Sequence, residues 1–96
     1  MLSLTDRNNP DRHFEAPLRN KVLIGRNSEN QIVLDYDKTV SGKHCEIVVS
    51  GKRFIIRDLG SRNGTYLDGI RIVDEAELTN GSVIRLGRLE FGVDIR

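Results

Sequence analysis

SGKHCEIVVSGKRFIIRDLGSRNGT, residues Ser41 to Thr65, is the stretch from which the fold is read. Two polar loops, Ser41-Gly42-Lys43-His44 and Gly60-Ser61-Arg62-Asn63-Gly64-Thr65, flank two apolar runs, Cys45 to Val49 and Phe54 to Ile56. Ser50-Gly51-Lys52 between the runs is a short glycine-containing turn of the hairpin type. Alternation puts Cys45, Ile47 and Val49 on one face and His44, Glu46 and Val48 on the other; Phe54 and Ile56 share the inward face of the second run. An antiparallel hairpin sets the start of its first strand beside the end of its second. Both polar loops therefore meet at one edge, where a rigid scaffold presents binding residues.

Outward from this hairpin the pattern repeats. Lys21-Val22-Leu23-Ile24, ended by Gly25, is a β-branched strand, and Ile32-Val33-Leu34 resumes after the turn formers Asn27-Ser28-Glu29-Asn30. Downstream, Tyr66-Leu67, the Asp68-Gly69 turn and a run from Ile70 to Val73 form a further hairpin. Asp74 to Leu78 is polar with scattered apolar residues and carries at most a lone helical turn. Asn80-Gly81 turns the chain into Val83 to Gly87, and Leu89, Phe91, Val93 and Ile95 alternate as a half-buried strand. Short strands with turns every eight to twelve residues, and no convincing helix, predict an all-β sandwich or barrel. Residues 1–19 are polar and poorly periodic, with a turn at Asn8-Asn9-Pro10. They are expected to be a leader or linker, with an edge strand at His13-Phe14 as the alternative, and residues 20–96 to be the folded domain.

The 96 residues suffice for one domain with one modest core. Lys and Arg total 15 against 14 Asp and Glu, so no basic excess favours nucleic acid, and an anion must be recognised by local arrangement. The one cysteine, Cys45, falls within the apolar alternation and is expected as a small buried hydrophobe, consistent with a reducing cytoplasm. No signal-peptide pattern and no membrane-length apolar run appears, so no membrane association is expected.

Several chemistries are considered and set aside. The loop 60–65 lacks the Lys-Ser/Thr ending of a nucleotide-binding loop. Asp35 and Asp37 lack the rest of a calcium-loop spacing, His13 has no ligand partner at useful spacing, and no metal or cofactor is expected. Asn63-Gly64-Thr65 and Asn80-Gly81-Ser82 match the glycosylation pattern but read better as Asn-Gly turns. Ser41, His44 and Asp58 suggest a hydrolase triad, yet no oxyanion-hole motif accompanies them, and no enzymatic activity is expected. Anion recognition fits better. Arg26 supplies a permanently charged planar fork, Ser41 a hydroxyl, Gly42 an unshielded backbone N–H, and Ser61, Arg62 and Asn63 further donors.

The ordered set Gly25-Arg26, Ser41-x-x-His44 and Asn63-Gly64-Thr65, each separated by an apolar run, resembles the forkhead-associated (FHA) domain. The likeness extends over about residues 20 to 95, through Asp58-Leu59-Gly60-Ser61 and the later Leu78-Thr79-Asn80-Gly81-Ser82, Gly87 and Phe91. It implies a two-sheet, FHA/SMAD-like β-sandwich of about eleven strands that binds phosphothreonine peptides at one end, a monomeric, cytoplasmic interaction module of Ser/Thr kinase signalling. By position, Arg26 and Ser41 would bind phosphate, with Gly42 and Arg62 beside it and Asn63 on the peptide backbone. Gly25, His44, Gly64 and Thr65 would support the loops. Members often carry a side chain at position 42 that contacts the ligand; here it is glycine. Thr39 lies where some members select a peptide side chain. The long connection 35–39 is expected to cross back and bring the loops to one end. The alternative implied by the same family is a phosphate-independent assembly domain, and Thr5 is a candidate phosphorylation site for the chain's own pocket or a neighbour's.

Overall fold

In the computed structural model, which describes residues 1–96, the hairpin forms as expected: β5 (Cys45–Ser50) pairs antiparallel with β6 (Arg53–Asp58), from Cys45↔Asp58 to Ser50↔Arg53. Around it lie β1 (Leu2–Asp6), β2 (His13–Ala16), β3 (Lys21–Gly25), β4 (Ile32–Val33), β7 (Thr65–Leu67), β8 (Ile70–Arg71), β9 (Glu75–Leu78), β10 (Val83–Leu86) and β11 (Leu89–Ile95). Six strands, in the order β2-β1-β11-β10-β7-β8, form one sheet, and five, β4-β3-β5-β6-β9, the other. This is the all-β sandwich that the alternation predicts as one of two possibilities, with the eleven strands in two sheets that the family resemblance implies.

The inward faces make one core. Val22, Ile24, Cys45, Ile47 and Ile56 from the smaller sheet, and Leu2, Leu4, Ile84, Leu86 and Phe91 from the larger, are fully buried. Each large side chain so removed from water contributes about 1.5–3 kcal/mol before chain entropy is subtracted. Cys45 is part of this core, and burial, with the charges of Asp58 and Glu46 adding to it, pushes its thiol pKa up. The nucleophilic thiolate is thereby suppressed.

Three expectations need correction. Residues 1–19 are not a leader outside the folded unit. β1 lies between β2 and β11, Leu2 and Leu4 are fully buried, and Phe14 packs edge-on against Phe91 at 6.1 Å. The apolar residues that do this, Leu2, Leu4 and Ala16 in the core with Phe14 and Leu18 against it, are too scattered to produce a visible apolar run. Thr5 lies in the same strand, paired with His13 on one side and Gly92 on the other, and its hydroxyl meets His13 Nδ1 at 2.9 Å.

The stretch 74–78, read as polar with a lone helical turn, instead contains β9, antiparallel to β6. Glu75 and Glu77 face solvent while Ala76 and Leu78 face the core, a half-buried edge strand whose two glutamates mask its period.

The third correction concerns how the loops reach one end. β4 runs parallel to β3, with Ile24 opposite Ile32 and Gly25 opposite Val33. The chain therefore reverses within residues 26–31, and Leu34 N–H donates to Gly25 C=O at 2.8 Å. The connection 35–39 starts at the correct end and has no crossing to make. A parallel register between neighbours so close in sequence has no signature in apolar periodicity.

Candidate functional site

Three loops converge at this end: residues 26–31 after β3, 34–44 between β4 and β5, and 59–64 between β6 and β7. The first two are joined as if the sheet continued past its edge. Arg26 N–H donates to Ser41 C=O at 3.0 Å and Asn27 N–H to Gly42 C=O at 3.1 Å. Asn30 reinforces the joint, its Nδ2 donating to the carbonyls of Asn27 and Gly42, both at 2.8 Å. Such an approach leaves no room for a side chain at Gly25, where a Cβ would collide with the Gly42 carbonyl.

His44 ties in the third loop. Its ring is fully buried; Nδ1 accepts from Ser41 N–H at 3.0 Å, and Nε2 lies 2.9 Å from the Gly64 carbonyl. An acceptor role at Nδ1 and a carbonyl at Nε2 require the neutral Nε2–H tautomer. Burial lowers the His44 pKa, against the raising effects of the Gly64 hydrogen bond and the Asp58 charge. One imidazole thus connects Ser41 with Gly64. The triad reading of Ser41, His44 and Asp58 does not survive: His44 meets the backbone of Ser41, while the Ser41 Oγ accepts from Arg62 N–H at 3.0 Å.

Asp58 shapes the loop 59–64 from inside. Its Oδ2 accepts the N–H groups of Gly60 and Ser61, each at 3.1 Å, and its Oδ1 accepts the hydroxyls of Ser61 and Thr65. Burial alone would raise its pKa, but these hydrogen bonds and the nearby His44 outweigh it and hold the carboxyl below its ordinary range. The Ser61 Oγ in turn accepts from Gly64 N–H at 3.1 Å, and Gly64 adopts φ 89°, a conformation open to glycine. Ser61, expected among the outward donors, therefore faces inward as a brace.

A fourth segment, unforeseen in the sequence, supports the second loop: the turn between β10 and β11. Buried Asp37 accepts from Thr39 N–H at 2.9 Å, from the Thr39 hydroxyl at 2.6 Å, and from Arg88 Nε at 2.8 Å. The Thr39 Oγ1 also accepts Arg88 N–H at 3.0 Å. The Asp37 pKa is lowered: burial opposes ionisation, and the Thr39 and Arg88 hydrogen bonds prevail. The Thr39 hydroxyl proton is thus committed to Asp37, and both Asp37 oxygens are occupied by protein donors. The Asp-x-Thr spacing at 37–39 is a local turn signal, but nothing in sequence connects it with Arg88, 51 residues away.

Among the expected contact residues, the structure brings Arg26, Ser41, Gly42, Arg62 and Asn63 together on these loops. Arg26, Arg62 and neighbouring Lys43 are exposed, with no carboxylate in salt-bridge reach. The Ser41 hydroxyl accepts one hydrogen bond and keeps its proton to donate, and Gly42 N–H has no protein acceptor. Asn63 donates through Nδ2 to Thr39 C=O at 2.8 Å, leaving its Oδ1 open. Two guanidinium groups, a hydroxyl and an amide N–H on braced backbone are donors of the kind that suit a compact, multiply charged oxyanion.

Comparison with known proteins agrees with this fold. The family model described as the FHA domain matches residues 22–87. FhaB, an FHA domain-containing protein of Mycobacterium tuberculosis, is 36% identical over 67 residues, 70% of this chain and 43% of FhaB. The chain thus spans less than half the length of that relative. A domain solved in a structural and functional analysis of phosphothreonine-dependent FHA domain interactions superposes with a TM-score of 0.85 at 33% identity, covering 99% of this chain and 96% of that one. Mycobacterium tuberculosis EmbR, in complex with a low-affinity phosphopeptide, superposes with a TM-score of 0.87 at 34% identity, covering 98% of this chain and 24% of EmbR. No helix is long and apolar enough to cross a membrane.

Proposed function

The chain belongs to the forkhead-associated (FHA) family, and on that premise we propose that it is a phosphothreonine-peptide reader, a cytoplasmic module for phosphorylation-dependent protein–protein interaction in Ser/Thr kinase signalling. One observation carries the reading: Arg26 and Ser41, joined by the Arg26 N–H to Ser41 C=O bond, carry a guanidinium and a hydroxyl proton that no protein group engages. Phosphorylation adds a charge of about −1.5 to −2 and three acceptor oxygens. Arg26 and the Ser41 hydroxyl bind those oxygens, with the Gly42 N–H and Arg62 beside them. The open Oδ1 of Asn63 accepts a backbone N–H next to the phosphothreonine. No bond is made or broken; the loops recognise charge and shape.

A degenerate phosphothreonine library identifies a ligand, which is then titrated in phosphothreonine, phosphoserine and unmodified forms. The phosphothreonine form is expected to bind with a Kd on the order of micromolar, about −8 kcal/mol. Arg26→Ala removes a charge-assisted pair of about 1.5–3 kcal/mol, a loss from about tenfold to over a hundredfold. Equal binding of all three forms, or of none, overturns the reading and favours a phosphate-independent assembly domain.

A further inference from the structure

We propose that the side-chain amide of Asn27 is a ligand-contacting group that takes over, in this chain, the role that a side chain at position 42 would otherwise fill. This rests on the phosphopeptide reading above. Gly42 is the starting point. It does not adopt the positive φ that would by itself call for glycine. A Cβ there would instead lie 2.8 Å from both Nδ2 and Oδ1 of Asn27 and 3.0 Å from its Cγ, side-chain atoms that a residue at 42 would have to push aside. With Nδ2 and Oδ1 nearer than Cγ, the polar end of the Asn27 amide leans over Gly42. The space that a residue at 42 would need is already occupied by an amide from the neighbouring loop.

That amide is fixed at its root and free at its tip. Asn27 N–H donates to Gly42 C=O at 3.1 Å, and the Asn27 carbonyl accepts from Asn30 N–H at 3.2 Å and Asn30 Nδ2 at 2.8 Å. Asn27 is exposed, and its Nδ2 and Oδ1 make no hydrogen bond within the protein. Asn30, three residues on, is the contrast: buried, with its Nδ2 making two bonds to backbone. Arg26 and Asn27 are consecutive and pair with the consecutive Ser41 and Gly42. The free amide therefore stands next to the phosphate-binding donors, where Nδ2–H donates to a phosphate oxygen. A neutral donor adds to the site there without further positive charge.

The test compares affinities for the library-selected phosphothreonine peptide, with folding of every variant checked by thermal melting. Asn27→Ala is expected to weaken binding about tenfold, the range of a hydrogen bond to a charged group. Asn27→Asp is expected to weaken it further, since a carboxylate repels phosphate. Gly42→Ala displaces the amide, so the two losses are not independent: the Asn27→Ala, Gly42→Ala double variant binds no more weakly than Asn27→Ala alone. The Asn27→Ala, Gly42→Asn double variant, which supplies an amide from the other loop into the vacated space, is expected to recover affinity over Asn27→Ala. If Arg26→Ala abolishes binding while folded Asn27→Ala stays within about twofold of wild type, the inference falls and the phosphopeptide reading stands. If the wild-type chain selects no phosphothreonine peptide, both fall.

Discussion

A methyl group at Gly25 would meet the Gly42 carbonyl oxygen at contact-violating distance, its carbon at 2.9 Å and Asn30 Nδ2 at 3.0 Å. Two of these neighbours belong to the Gly42 carbonyl, which accepts from Asn27 N–H and Asn30 Nδ2 and so joins the two loops, and it cannot yield without separating them. Gly25→Ala is therefore expected to cost about 1–3 kcal/mol of stability by overpacking, and to weaken phosphopeptide binding as well. Paired denaturant titrations and peptide titrations check both effects; unchanged affinity in the folded variant would show that the joint does not set the geometry of the site. Gly25, His44 and Gly64 are legible as supports from the ordered motifs. The Asn27 amide is not, because its meaning depends on which residue lies under it.

Among the elements, the loops are coupled through a group that titrates. The unfolded chain takes up a proton on His44 as pH falls through about 6.5, its ordinary value, whereas the buried folded form resists protonation to lower pH. The unfolded state then binds more protons, so stability falls with falling pH. The loss begins near pH 6.5, amounts to about 1.4 kcal/mol for each pH unit down to the folded pKa, and levels off below it. Urea titrations between pH 7.5 and 5 are expected to show this slope in wild type and a flatter one in His44→Asn. Equal slopes would remove His44 as the source. Protonation of Nδ1 also removes the acceptor for Ser41 N–H, so peptide affinity is expected to fall as pH drops through the lowered folded pKa of His44. At this scale the hairpin from Cys45 to Asp58 is readable because two apolar runs flank a short glycine-containing turn. β9 is not, because an edge strand needs only one buried face and its glutamates hide the period.

For the whole molecule, the first strand is the test of where the folded unit starts. β1 separates β2 from β11 and places Leu2 and Leu4 in the core. Its removal would bare the side of β11, a seven-residue strand, as an unpaired edge. A chain beginning at residue 20 is expected to lose cooperative unfolding and to aggregate, and Leu4→Ala in the full chain to cost about 2–5 kcal/mol. Thermal melts of both decide the matter; a cooperative, equally stable 20–96 fragment would restore the linker reading. The same pairing bears on Thr5, which a kinase can reach in extended form only if β1 leaves the sheet.

The sequence by itself determined the all-β class, the hairpin that organises it, the family, and the identity of Arg26, Ser41, Arg62 and Asn63 as the residues to inspect. Those follow from alternation, from turn chemistry and from short motifs in order, all of which are local. Only the tertiary structure decided that the parallel β3–β4 register brings the loops to one end, and that residues 1–19 complete the larger sheet. It likewise fixed the inward orientation of Ser61, the bracing of Thr39 by Asp37 and Arg88, and the Asn27 amide over Gly42. These depend on which distant segments lie in contact, and contact between segments far apart in the chain leaves no periodic mark on either one.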